Sequence, residues 1–306
     1  MAIRITLDVF SGRPNPSVVL AGRAERALVE RLGRPRLVRG ARPAAPTSRL
    51  GYRGVRIETL ADGAPRAGRA AASRSGTPLR IAYGVVSRAD GAAGSLADAE
   101  LERFLVAPDG PLRAATPDVR LLERLADAVA HGRAPRAAGG ARVRARALDA
   151  AAVAELPERC ACAPPWEPAW WNDGGPIQLG NNCYNYATNV RTDTYAQPGR
   201  ANAVTFAGMH PADVNAAALA DALGAAPARN RCPGKGHLVA CFVSQWDFHW
   251  YRKHRNGLWT HKPGPDPITK LDDSGQPIVD PRSADRADYA QLVGFFTVQH
   301  GHVKIA

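Results

Sequence analysis

The chain has 306 residues, of which 45% are hydrophobic and 22% charged, and it carries a formal net charge of +12. That composition is globular rather than disordered or fibrous, and no apolar run approaches the ~18 residues that a membrane-spanning helix needs. The charge is uneven: residues 1–150 hold 26 Arg, no Lys and 14 acidic residues, whereas 151–306 hold 14 basic and 14 acidic residues and are neutral. A basic half can attract an acidic or peptide partner. With Phe10, Tyr52, Tyr83 and Phe104 as its only aromatic residues, it lacks a base-stacking platform, which argues against nucleic acid as the partner.

The amino-terminal stretch alternates Ile3, Ile5, Leu7 and Val9 with polar residues, the pattern of a half-buried strand. It also lacks the unbroken apolar core of a signal peptide, so a cytoplasmic protein, or one exported without a cleaved signal, is expected. Phe10–Pro16 contains two prolines and forces a turn. Residues 22–32 read as a helix, 34–50 as loop, and 52–60 and 79–87 as strands. Ser95 and Asp98 suggest a capped helix to about Leu105, and Thr116-Pro117 opens another through Val129. Residues 1–132 therefore predict a small basic α/β domain of about three strands and three helices. Arg/Ala/Gly-rich residues 133–147 read as a linker, 148–156 as a short helix, and 148–306 as a second domain.

The chemistry concentrates in the second domain. Asn181 and Asn182 are good helix caps, which places Cys183 in the first turn of a helix through Asn189. There the helix dipole and unpaired N–H groups would stabilise a thiolate and lower the cysteine pKa. Pro211–Leu223 reads as a helix and 237–243 as a strong strand. Phe248–Lys253 carries His249, Asn256-Gly257 signals a tight hairpin, and the return strand ends at His261. A twelve-residue step through such a turn can set two imidazoles side by side.

This order of Cys, Pro-Gly-led strand, His strand, turn and second His resembles the NlpC-type, papain-like cysteine peptidases and amidases over about residues 175–265. The resemblance implies an α+β domain with a Cys-bearing helix packed on an antiparallel sheet. It further implies a bacterial thiol hydrolase or acyltransferase acting on a peptide or amide substrate without a cofactor. In that reading Cys183 is the nucleophile, His249 the base and His261 the group that orients it. Gln178 is the oxyanion candidate by the same resemblance, Asp247 an alternative orienting group, and Tyr184, Trp171 and Trp250 candidates for a substrate groove. The bulky Tyr184-Asn185-Tyr186 after Cys183 departs from the small residues usual in the family.

Two other readings stand beside it. One is a non-catalytic binding module on a papain-like fold. The other is a zinc-stabilised module with Cys160, Cys162, Cys232 and His237 as ligands. An odd count of five cysteines without an evident signal points to mostly reduced thiols. The acidic run Asp272-Asp273-Ser274-Gly275 fits no calcium loop and reads as a polar turn.

Overall fold

A computed structural model describes residues 2–39, 50–60, 77–88, 91–116, 118–131 and 160–306. The predicted linker 133–147 and helix 148–156 lie outside the described residues. The chain divides into two compact units, one of Met1–Val9 with Asn15–Pro135, the other of Phe10–Pro14 with Arg136–Ala306.

In the first unit, β1 (Ala2–Asp8), β2 (Ser17–Ala21), β3 (Gly54–Leu60), β4 (Leu79–Ala82), β5 (Val85–Arg88) and β6 (Ala93–Ser95) form one sheet in the order β2-β1-β3-β4-β5-β6. All pairings are antiparallel. The alternation seen in sequence is used directly: Ile3, Ile5 and Leu7 are buried, and Ile5 lies opposite Ile57. The predicted single strand 79–87 is instead a hairpin, because Tyr83 and Gly84 both take positive φ at its tip. Buried Glu102 secures that tip by accepting hydrogen bonds from Tyr83 N (2.8 Å), Gly84 N (2.7 Å) and Tyr52 Oη (2.7 Å). Helix α1 spans Arg23–Leu32, α2 Leu101–Val106 and α3 Val119–Ala130. Ser95 belongs to β6 rather than capping α2, and Asp118 caps α3 through Arg120 N.

In the second unit, short helices α4 (Pro168–Trp171), α5 (Pro176–Gly180) and α6 (Cys183–Thr188) precede α7 (Pro211–Ala220). Strands β7 (Gly224–Ala226), β8 (His237–Val243), β9 (Phe248–Lys253), β10 (Trp259–His261) and β11 (Gln291–Val298) form an antiparallel sheet in the order β10-β9-β8-β11-β7. Thus α+β architecture with two antiparallel sheets holds, and the Cys-bearing helix packs on one of them. Cys183, Tyr184 and Ala187 of α6 and Val214 and Ala218 of α7 share a core with Val239, Cys241, Phe248, Trp250 and Phe296 of the sheet. Every residue of β8 and β9 is buried.

The turn predicted at Phe10–Pro16 has a second role. Asp247 is buried, and its carboxylate accepts hydrogen bonds from the backbone N–H groups of Ser11 (2.6 Å), Gly12 (3.1 Å) and Arg13 (2.8 Å). Gly12 O in turn accepts from Asn182 Nδ2 (2.6 Å) and Gln197 Nε2 (2.9 Å). A side chain at position 12 has no room, since an added Cβ would lie 2.2 Å from the Phe248 ring and 2.6 Å from its carbonyl oxygen.

A Cys160–Cys232 disulfide closes the unit across 72 residues of sequence. The expectation of reduced thiols is therefore corrected for these two, while Cys162, Cys183 and Cys241 are free. The predicted zinc set fails for the same reason. Two of its four ligands are consumed by the disulfide, His237 Nε2 is engaged with Ala187 O at 2.7 Å, and no metal-holding cluster occurs among the described residues.

Two outcomes are expected in urea-unfolding experiments. Gly12→Ala should lower stability by about 1–3 kcal/mol, through overpacking against backbone that cannot yield. Replacing Cys160 and Cys232 together by Ser should lower it by about 2–4 kcal/mol, the usual contribution of a disulfide. A dithiothreitol-treated wild type should match the double variant.

Candidate functional site

Asn182 caps α6 through its side-chain oxygen, which accepts from Tyr184 N and Asn185 N at 3.0 Å each. Asn185 Oδ1 answers by accepting from Asn182 N at 3.0 Å, completing a reciprocal capping box. Asn189 ends the helix in the left-handed conformation. Cys183 therefore occupies the first turn, as the cap residues in the sequence imply. Its chemistry differs from that expectation. The thiol is fully buried, with Sγ 3.8 Å from the Phe248 carbonyl oxygen, and burial pushes its pKa well above the ordinary cysteine value, with the field of Asp247 adding to the rise. The helix start does not produce a thiolate here.

The two histidines do meet. His249 Nε2 lies 2.8 Å from His261 Nδ1, and His261 Nε2 lies 2.9 Å from Leu271 O. A carbonyl only accepts, so His261 carries its proton on Nε2 and accepts at Nδ1. His249 then donates from Nε2, which leaves the basic lone pair on Nδ1. Tyr251 stands against both rings, at centroid distances of 4.7 and 5.0 Å, and Tyr289 lies 5.5 Å from His249. His249 pairs across the sheet with Phe242, and His261 with Tyr251. Strand alternation turns these side chains to the face opposite Phe248 and Trp250, the two β9 residues that pack with Cys183. All three members of the predicted triad, Cys183, His249 and His261, are fully buried.

The remaining candidates take structural roles. Gln178 Nε2 donates to Pro265 O at 3.1 Å and Gly174 N donates to Gln178 Oε1 at 3.3 Å, so its amide ties α5 to a loop. Asp247 does not orient His249. It holds the 11–13 backbone and accepts from Tyr289 Oη at 2.6 Å. Burial raises its pKa despite these bonds, which pull in the other direction. Tyr184, Trp171 and Trp250 are all fully buried, and form core rather than a groove. Tyr184 Oη donates to Asp221 at 2.9 Å, and Trp171 packs edge-on to Tyr186 at 5.3 Å. His254 is half-buried, and burial lowers its pKa to about 4. The 272–275 segment is a polar turn, as read from sequence, with Asp272 Oδ1 accepting from Ser274 N and Gln276 N.

Sequence reasoning missed Tyr289 and the 10–13 backbone as members of this network. Only the double-proline turn marked the second of these. Lys262 was also missed: its fully buried ammonium donates to the carbonyl oxygens of Gln178, Gly264 and Asp266, the first at 2.6 Å.

No family model matches the chain, and no solved structure does. Insoluble matrix shell protein 1 of Ruditapes philippinarum is 42% identical over 140 residues, which cover 91% of that protein and 45% of this chain. The chain belongs to the insoluble matrix shell protein 1 family. That relative is named as a matrix protein of shell, not as a peptidase or amidase, and the expectation of a bacterial thiol hydrolase is corrected accordingly. No helix among the described residues is long and apolar enough to cross a membrane.

Acid should destabilise this unit. Burial lowers the pKa of His237 to about 3, whereas the unfolded chain takes up that proton near pH 6.5. The unfolded state therefore binds more protons below pH 6.5, and stability falls as pH drops from there towards 3, by about 4 kcal/mol in all. Urea midpoints across pH 7 to 3 check this, and His237→Gln should flatten that part of the profile. Separately, His261→Ala should cost about 1–3 kcal/mol by stranding the buried His249 donor, measured at pH 7.5.

Proposed function

We propose that the chain is a non-catalytic structural module of an extracellular matrix, a disulfide-closed unit that works through its surfaces rather than through a reactive thiol. The observation that carries this reading is the complete burial of Cys183 together with its raised pKa. A nucleophile has to be exposed to substrate and at least partly ionised near neutral pH. The Cys160–Cys232 disulfide supports the same reading, since such bonds persist in oxidising, mostly extracellular, environments. The relative's printed name describes a protein of insoluble shell matrix. Arg-rich residues 1–150, with their net +12, suit an acidic matrix partner, because a single-signed field attracts opposite charge without a dedicated pocket.

Alkylation with iodoacetamide near neutral pH separates this proposal from catalysis. Exposed Cys162 should be labelled in the native protein, with Cys183 and Cys241 protected until denaturant is added. Faster labelling of Cys183 than of Cys162, abolished in a folded His249→Ala variant, would overturn the structural reading.

A further inference from the structure

The Cys160–Cys232 disulfide has a third sulfur beside it. Cys160 opens a β-turn that Ala163 N closes by donating to Cys160 O at 2.8 Å, and Cys162 stands in that turn. Of the three free thiols, Cys162 alone is exposed. Two residues apart, the Cα atoms of Cys160 and Cys162 are at most ~7 Å from each other, and the turn shortens that into the ~4.4–6.8 Å range that a disulfide spans. The two halves of the existing bond differ. Cys160 is fully buried, whereas Cys232 is half-buried and lines a cavity of about 220 Å³ together with exposed Arg231. Each half is also fixed without the bond. Cys160 N donates to Arg255 O at 3.1 Å, and Arg255 Nε donates to Ala163 O at 2.7 Å. On the other side, Asn230 Nδ2 donates to Val279 O at 2.7 Å and Asn230 Oδ1 accepts from Trp259 Nε1 at 2.9 Å.

We propose that Cys162 is an internal nucleophile for this disulfide, which makes the three cysteines a thiol–disulfide switch. Cys162 gives its proton to water, and its thiolate attacks Cys160 Sγ. The Cys162–Cys160 bond forms, the Cys160–Cys232 bond breaks, and Cys232 leaves as a thiolate that takes a proton from water. One disulfide and one thiol are present before and after, so the step needs neither oxidant nor reductant. Cys232 is the better leaving sulfur, because the cavity gives its negative charge room for water and Arg231 supplies a neighbouring cation. Attack on Cys232 would instead expel Cys160 as a thiolate at a fully buried position, where desolvation penalises the charge. The exchange opens a covalent loop that spans 72 residues of sequence and moves the free thiol from the turn to the cavity. The hydrogen bonds of Arg255 and Asn230 keep both segments in place while the bond is open. The proposal stands on these three cysteines, and holds or fails independently of the matrix reading.

The test is alkylation of the folded full chain at pH ~8.5, near the usual pKa of a thiol, with labelled positions and disulfides read by mass spectrometry after acid quenching. Concentrated iodoacetamide captures Cys162 before exchange. Dilute iodoacetamide should yield chains labelled at Cys232 with Cys160 bonded to Cys162, and their share should rise severalfold as the reagent is diluted. In Cys162→Ser, which retains the disulfide, Cys232 should stay unlabelled. Cys232→Ser treated with oxidised glutathione should lose its exposed thiol by forming a Cys160–Cys162 bond. The proposal is overturned by absence of Cys232 label at every reagent concentration, by equal Cys232 label in Cys162→Ser, or by Cys160 and Cys162 both remaining alkylatable in oxidised Cys232→Ser. Wild-type chains labelled at Cys160 with a Cys162–Cys232 bond would overturn the direction of attack.

Discussion

One buried carboxylate organises the second unit. Asp247 collects the N–H groups of Ser11, Gly12 and Arg13 and the hydroxyl of Tyr289, so a segment from the start of the chain is fastened to the start of β9. An isolated carboxylate would be very costly to bury, and only this density of donors makes the position tolerable. The same segment carries Gly12 O, which accepts from the Asn182 side chain that caps α6. The cap of the cysteine helix and the anchor of the histidine strand are thus two ends of one hydrogen-bonded arrangement. Phe248 closes it by packing where any side chain at position 12 would stand.

The fate of Cys183 follows from a comparison of magnitudes. A helix start favours a charge by about 0.3–1 kcal/mol at an exposed site. Desolvation of a fully buried group shifts a pKa by up to about 3–5 units, each worth about 1.4 kcal/mol. Burial wins, and Asp247 adds repulsion in the same direction. The His249–His261 pair is likewise enclosed, with Tyr251 and Tyr289 against it. What resembles a catalytic relay in linear order is, in the fold, a buried hydrogen-bonded pair with Leu271 O as its terminal acceptor.

Stability in this unit comes from cross-links of several kinds. Lys262 pins three carbonyl groups, and Arg252 stacks on Tyr186 at 3.9 Å while donating to its carbonyl. The Cys160–Cys232 bond restrains the segment before α4 against the one before β8.

The sequence by itself determined the elements whose signals are local. Alternating Ile3, Ile5 and Leu7 specified β1. Asn182 specified the start of α6, and Asn256-Gly257 the β9–β10 turn and hence the meeting of His249 with His261. Local signals could not separate Leu79–Ala82 from Val85–Arg88, because the break depends on positive φ at Tyr83, a conformation that residue does not advertise. Nor could they pair Cys160 with Cys232, since contact across 72 residues is a property of the closed chain. Above all, burial was decided only in three dimensions. The same Cys183, Trp171 and Trp250 could have lined a groove or filled a core; the packing of α6 and α7 on one sheet face made Cys183 and Trp250 core, and Tyr186 with Ile268 enclosed Trp171. The tertiary structure also gave Asp247 its partners, because the N–H groups it needs lie more than 230 residues earlier in the chain.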